Sequence, residues 1–126
     1  MSAASLDTIN RRVCNDLFDA LERGDVEAVA ACYAPDMTMW VNFTNETISR
    51  EANLEAIEKG KAIQRRRTYD DRVINTFHDG FIAQYTCRVV ALNGAKVALS
   101  SCLVGEVHDG LIVKLHEYTD SGRFRR

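Results

Sequence analysis

Apolar residues follow a helical spacing in the first half of the chain and strand-like patterns in the second half. The first helical series recurs every three or four positions and consists of Leu6, Ile9, Val13, Leu17 and Leu21. Ser5 or Asp7 is the expected cap of this helix, and Gly24 stands where it should end. The pattern therefore predicts an amphipathic helix over most of the first 23 residues.

Three further elements are predicted before residue 67. Asp25 is a typical cap for a second helix over residues 26–33, which should end before the chain's one proline, Pro35. Residues 37–43 have the β-branched and aromatic content of a strand. The polar run 44–49 then predicts a loop, and residues 50–66 a third helix.

The second half predicts an antiparallel meander. Its turn signals are His78-Asp79-Gly80, Asn93-Gly94 and Asp109-Gly110. They separate apolar-rich runs at residues 67–77, 81–92, 96–108 and 111–119. Three helices followed by a long curved antiparallel sheet indicate an α+β domain in which the helices cover one sheet face. We expect a ligand cavity on the concave side of this sheet.

The last of these runs contains the first candidate for chemistry. Leu111, Val113 and Leu115 should share one strand face, and Glu117 falls on the same face. A carboxylate that continues an apolar row must be paired, hydrated in a pocket or protonated, because burying a bare charge is costly. The alternative is that the strand frays there and Glu117 meets water.

Composition limits the function classes. The 126 residues fit one domain, 1–126, and the net charge of -2 gives no general attraction to nucleic acid or to anionic lipid. The basic clusters 65–67 and 123–126 are interpreted as a solvated helix end and a tail. No signal-peptide core or membrane-length apolar stretch is present, so a cytoplasmic location is expected.

The four cysteines are expected to be small core thiols, and the three histidines lack metal-ligand spacing, so we predict no metal and no cofactor.

Three segments carry a family resemblance: residues 18–28 (FDALERGDVEA), 33–36 (YAPD) and 109–120 (DGLIVKLHEYTD). With the order of elements, they resemble the nuclear transport factor 2-like superfamily, which includes SnoaL-like polyketide cyclases, ketosteroid isomerase and limonene epoxide hydrolase. The resemblance implies a cone-shaped curved antiparallel sheet wrapped around three N-terminal helices. It also implies a small apolar ligand in the cone and a homodimer through the outer sheet face.

The epoxide hydrolase pattern of two carboxylates and an arginine comes nearest. By this resemblance Arg88 falls at the arginine, Glu117 at the second carboxylate and Asn42 at the asparagine. Val90 stands where the first aspartate is expected, and Trp40 replaces the tyrosine. Since a single carboxylate paired with arginine should stay ionised, which suits a base or an orienter and not an acid, epoxide hydrolysis by the two-carboxylate mechanism is not expected. A SnoaL-like ring closure needs only one acid/base group, which Glu117 could supply.

Each remaining candidate has a structural alternative. We predict that Arg88 orients Glu117 or binds an anionic or carbonyl group, although a structural ion pair would also explain it. We predict that Trp40 and Asn42 contact substrate, against the alternative of a core tryptophan and a turn asparagine. Val90 is also expected to contact substrate. Tyr33 either donates into the pocket or only packs beside it. His116 lies opposite Glu117 and is expected at the outer interface.

These residues predict a single-carboxylate isomerase, cyclase or hydrolase that acts on an apolar oxygenated substrate. Two alternatives remain open. One is a non-catalytic ligand-binding domain that has kept the pocket, and the other is a dimerisation module that uses the outer sheet face.

Overall fold

Helices α1 (Ala3–Arg23) and α2 (Val26–Cys32) open the computed structural model, which describes residues 2–120 and 122. Helix α1 begins one turn earlier than predicted, because the Ser2 side chain accepts the backbone N–H of Ser5. It ends as predicted at Gly24, whose φ of 67° is the left-handed conformation that favours glycine. Asp25 caps α2 by accepting the backbone N–H of Ala28, also as predicted.

One helix and six strands follow. In chain order they are β1 (Tyr33–Val41), β2 (Glu46–Ser49), α3 (Arg50–Ala62), β3 (Gln64–Phe77), β4 (Gly80–Ala91), β5 (Lys96–His108) and β6 (Leu111–Thr119). The strands form one sheet in the order β2-β1-β6-β5-β4-β3. The α+β class and the antiparallel meander from β3 to β6 are thus confirmed.

Several features differ from the sequence prediction, including the bounds of β1, which spans Tyr33–Val41 and not residues 37–43. The polar run predicted as a loop contains strand β2, which pairs with β1 and forms an edge of the sheet. Helix α3 ends at Ala62, so residues 64–66 belong to β3 and not to the helix. Strand β1 also pairs in parallel with β6, a long-range contact that no turn signal announces.

The core lies between α1 and the inner, concave face of the sheet. Leu17 and Phe18 of α1 are buried against this face, where Phe81 is also fully buried. All four cysteines are free thiols, and Cys14 and Cys87 are buried as predicted. None of the described helices combines the length and the apolarity needed to cross a bilayer.

A bulge in β6 corrects the predicted strand faces. Lys114 pairs with Glu106, but Ile112 pairs with the next residue of β5, Val107, so Val113 is an extra residue. Ile112 therefore points into the core beside Leu115, and the predicted inward position of Val113 is wrong. The alternation from Leu115 to Glu117 is uninterrupted, so Glu117 does lie on the inner face.

Gly105 of β5 lies directly against the ring of Phe81, so a larger side chain at this position should destabilise the fold. A Cβ added at Gly105 would lie 2.3 Å from the Phe81 ring, which is fully buried and cannot move aside freely. We expect Gly105→Ala to lower the free energy of unfolding by about 1–3 kcal/mol, measured by urea denaturation. Gly60→Ala is the control, because a Cβ there meets nothing within 4 Å, and it should be neutral or stabilising. Equal losses in both variants would contradict this packing.

Candidate functional site

A cavity of about 200 Å³ lies between the inner sheet face and helices α1 and α3. Its apolar wall includes Leu17, Phe18, Met39, Leu103 and Leu115. Its polar groups are Glu117, Tyr33, Asn53, Arg67, Tyr69 and Tyr85, with Gln64 and the exposed Lys61 towards the end of α3. This cavity is partly open to solvent, and a concave, largely apolar space with convergent polar groups is the usual form of a small-molecule site.

Glu117 reaches this cavity from β6, as the alternation predicts. Burial raises the pKa of its carboxyl group, and this effect outweighs the lowering by the Tyr85 hydroxyl and by the charge of Arg67. The Tyr85 hydroxyl donates to Glu117 Oε2 over 3.3 Å. The carboxyl group is thus held by one phenol in a poorly solvated wall, where it is a stronger base than an exposed glutamate.

Arg67 is the cavity's arginine, and its prediction as part of a solvated helix end is wrong. Because α3 ends at Ala62, Arg67 lies within β3 with its side chain on the cavity side. Its Nε donates to Gln64 Oε1 over 3.1 Å, and its Nη1 contacts Cys87 Sγ at 3.2 Å. Its positive charge also acts on the phenol of Tyr69 and lowers the pKa of that group, against the larger effect of burial. These contacts fix the direction of the guanidinium within the cavity wall.

An aromatic cluster forms one side of the cavity. The ring centroids of Phe18, Tyr69 and Tyr85 lie 4.8–5.6 Å apart. Burial raises the pKa of both tyrosine hydroxyls, so each phenol keeps its proton at neutral pH. The cluster therefore supplies neutral hydrogen-bond donors on a rigid hydrophobic wall.

Tyr33 lies in the cavity wall, but its hydroxyl is already engaged. It donates to Asn53 Oδ1 over 2.8 Å, and both side chains are buried. Tyr33 therefore neither donates into the pocket nor merely packs beside it, the two possibilities considered from the sequence. Its hydroxyl orients a buried amide that itself borders the cavity.

The structure places Arg88 and Val90 away from this cavity. Strand β4 turns Tyr85 and Cys87 inward, so Arg88 points outward and remains half exposed. Arg88 bonds Asp70 at 2.8 Å and Asp71 at 3.3 Å, which is the structural ion pair considered as its alternative. Val90 borders a surface groove beside Arg88. The prediction that Arg88 orients Glu117 is therefore wrong, and Val90, predicted to contact substrate, does not line this cavity.

Trp40 also lies on the outer face. Its ring centroid is 5.5 Å from that of His116 and 5.3 Å from that of Tyr118. Its indole Nε1 donates to Asn45 Oδ1 over 3.0 Å. Strand β1 turns Met39 into the cavity, so its neighbour Trp40 must face the other way. The predicted contact of Trp40 with a ligand in the cavity is therefore wrong. His116 is on the outer face as expected, and pairing of two copies there stays a prediction.

Asn42 joins the ends of two strands. Its Nδ2 donates to the Thr119 carbonyl over 3.2 Å, and its Oδ1 accepts the Thr119 N–H over 3.0 Å. Both polar atoms of the amide are used in this pairing. Asn42 therefore extends the β1–β6 contact and does not line the Glu117 cavity.

Sequence reasoning missed Arg67, Tyr69, Tyr85 and Asn53. A signal for Tyr85 was present, since Phe81, Ala83, Tyr85 and Cys87 alternate on β4 as one apolar face. Within residues 2–120 and 122, no group of three His, Cys, Asp or Glu side chains could hold a metal ion. We therefore assign no residue of the cavity to a metal ion.

Comparison with known proteins identifies the family. The SnoaL-like domain model matches residues 15–115, which is most of the chain. The chain belongs to the SnoaL-like family. This places it in the nuclear transport factor 2-like superfamily, as the sequence resemblance implied. No curated protein matches the sequence of this SnoaL-like domain.

Solved structures show the same fold. A candidate polyketide cyclase from Xanthomonas campestris pv. campestris has a TM-score of 0.80 and 20% identity, over 89% of this chain and 90% of that one. A candidate polyketide cyclase from Pseudomonas putida KT2440 has a TM-score of 0.80 and 21% identity, over 89% and 92%. A candidate isomerase from Bacillus subtilis has a TM-score of 0.79 and 15% identity, over 93% of each chain. At these identities the likeness concerns the fold alone.

Proposed function

We propose that this SnoaL-like domain is an isomerase or cyclase that removes a proton next to a carbonyl group of a small oxygenated substrate. The observation that carries the proposal is a single partly buried carboxylate, Glu117, in a cavity walled by aromatic rings and neutral donors. The candidate cyclases and isomerase among the structural relatives support the same reaction class. The arginine whose charge acts on Glu117 is Arg67, whereas Arg88 pairs with Asp70 and Asp71 on the outer face.

Glu117 acts as the general base. A base is most effective when its pKa lies near the working pH, and burial moves the pKa of Glu117 upward from the usual range. Tyr85 engages Oε2, which leaves Oε1 to accept the proton from the substrate carbon. The neutral carboxylic acid formed in this step is stable in the poorly solvated cavity wall.

Tyr69 and Arg67 stabilise the charge that appears on the substrate. Loss of the carbon-bound proton moves negative charge onto the carbonyl oxygen, where preorganised donors are most effective. The positive charge of Arg67 favours the deprotonated form of the Tyr69 phenol, so it makes this phenol a better hydrogen-bond donor to the substrate oxygen. The guanidinium adds a positive charge behind this phenol.

The proton held by Glu117 completes either reaction. In an isomerisation, Glu117 returns it to a different carbon of the same intermediate. In a cyclisation, the carbon that lost its proton attacks a second carbonyl of the same molecule, and Glu117 gives its proton to the new alkoxide. Neither the isomerisation nor the cyclisation consumes an added reactant.

The size of the cavity limits the substrate. A dry apolar cavity of about 150 Å³ holds one benzene ring, and this cavity measures about 200 Å³. The occupant is therefore a molecule of roughly one ring with short substituents.

Hydrogen–deuterium exchange tests the proposal without knowledge of the natural substrate. Cyclohexanone and 3-cyclohexen-1-one fit the size limit and carry exchangeable protons next to the carbonyl. We expect the protein to accelerate their exchange in D₂O, followed by proton NMR, with a rate that saturates as ketone concentration rises. Ketones that bind without accelerated exchange would contradict the proposal and favour the non-catalytic ligand-binding alternative.

A further inference from the structure

Helix α3 buries a polar side chain where the fold alone would favour an apolar one. Asn53 is the buried residue of this helix at 7% exposure, whereas Leu54 and Ile57 are only partly buried. An amide removed from water is destabilising unless all its polar atoms find partners. An apolar residue at this position would pack without that cost. Departures of this kind from local folding rules concentrate at functional sites.

The contacts of Asn53 leave its donor group underused. Tyr33 donates to Oδ1 over 2.8 Å, which fixes the orientation of the amide. The amide nitrogen Nδ2 contacts Met39 Sδ at 3.0 Å, and a thioether is a weak acceptor. Nδ2 carries two hydrogens and borders the cavity. A strong acceptor in the cavity would bind it better than Met39 does.

The sheet order separates this amide from the other donors. Tyr33 and Met39, which contact Asn53, lie on β1, whereas Arg67 and Tyr69 lie on β3. Between β1 and β3 the sheet places β6, β5 and β4. Glu117 is on β6, so the two groups of donors approach the cavity from opposite sides of the carboxylate.

We propose that Asn53 Nδ2 is a second oxygen-binding point, so that the substrate carries two acceptor oxygens on opposite sides of the carbon that Glu117 deprotonates. This inference rests on the proposed function, which assigns the first oxygen to Tyr69 and Arg67. Amide and phenol donors recognise neutral carbonyl oxygens, so the substrate class is a one-ring or similarly small dicarbonyl compound. Tyr33 is a positioning residue that acts through the Asn53 amide.

Binding of two matched probes tests this inference without turnover. 1,4-Cyclohexanedione and cyclohexanone have the same ring, and only the dione has a second oxygen. We expect the wild-type protein to bind the dione about 3- to 10-fold more tightly in NMR titrations, as one additional hydrogen bond implies. Asn53→Leu should remove this preference while it leaves the affinity for cyclohexanone nearly unchanged.

Two further variants separate recognition from general damage. Tyr33→Phe keeps the ring and should reduce the dione preference, because the Asn53 amide loses its orienting partner. Ile57→Val alters the same helix and cavity without touching a donor, and it should preserve the preference. If Asn53→Leu does not fold, the comparison of Tyr33→Phe with Ile57→Val shows whether the Asn53 amide binds the second oxygen of the dione.

Three results would overturn the inference: no dione preference in the wild-type protein, equal weakening of both probes in Asn53→Leu, or an unchanged preference in Tyr33→Phe. Each concerns binding only. Absence of proton exchange with intact dione preference would therefore count against the proposed function and leave the second oxygen site standing.

Discussion

Glu117→Gln is expected to lower the rate of ketone proton exchange by about 10²- to 10⁴-fold, the usual contribution of a general base. The amide has nearly the size of the carboxyl group and still offers an oxygen to the Tyr85 hydroxyl, so the cavity should keep its shape. It cannot accept a proton from carbon. The loss should therefore appear in kcat, with little change in the affinity for cyclohexanone.

The matched control is Glu46→Gln, on the exposed edge strand β2. It changes the net charge by the same amount and should leave the exchange rate within about twofold, because this exposed charge does not line the cavity and is screened by solvent. The measurement compares the ketone exchange rates of Glu117→Gln and Glu46→Gln by proton NMR. Wild-type exchange in Glu117→Gln would remove this carboxylate from the mechanism.

Tyr69→Phe is expected to reduce kcat by about 10²- to 10³-fold, the effect of losing one donor to a developing oxyanion. The phenylalanine ring retains the packing against Phe18 and Tyr85, whose centroids lie 5.1 and 5.6 Å from that of Tyr69. Only the hydroxyl is lost, so the fold should be preserved. The measurement is the same exchange assay at saturating ketone.

The control for this change is Tyr118→Phe on the outer sheet face, where the side chain is 43% exposed. It removes the same hydroxyl from a position away from the cavity and should leave kcat unaltered. If both variants exchange at the wild-type rate, Tyr69 does not bind the substrate oxygen.

The backbone around Tyr69 explains why this hydroxyl is well positioned. A bulge between Asp70 and Val73 interrupts the pairing of β3 with β4. Side chains from both sides hold the peptide groups of Tyr69: Glu22 Oε2 accepts its N–H over 2.7 Å, and Arg72 Nε donates to its carbonyl over 2.8 Å. The phenol thus extends from a backbone that α1 and β3 fix together.

The fold could be predicted wherever its signals are local. The cap at Asp25, the helix end at Gly24 and the turns between strands β3 and β6 depend on neighbouring residues, and the structure confirms them. The parallel pairing of β1 with β6 depends on residues about 75 positions apart, as in Trp40 with His116. No local pattern specifies such a contact, so the sheet order was not predicted. Strand β2 pairs locally with β1, and it was missed because the run that contains it is polar.

The site was predicted only in part for a related reason. Glu117 continues the inward row from Leu115, and alternation was enough to find it. Arg88 and Trp40 also lie on strands, but alternation does not say which of two faces points inward. Arg67 was missed because Gly60 and the residues after it gave no clear end to α3, and an arginine near a helix end is usually solvated.

The pH dependence of wild-type ketone exchange shows whether Glu117 works as a base with a raised pKa. Only the carboxylate form accepts a proton, so the rate should rise with pH and level off once Glu117 is ionised. Because burial raises its pKa, the midpoint should lie above the ordinary glutamate value of 4.5. This rise should be absent from Glu117→Gln. If the rate of ketone exchange has already reached its plateau at pH 4.5, or if Glu117→Gln shows the same pH profile, Glu117 is not a base with a raised pKa.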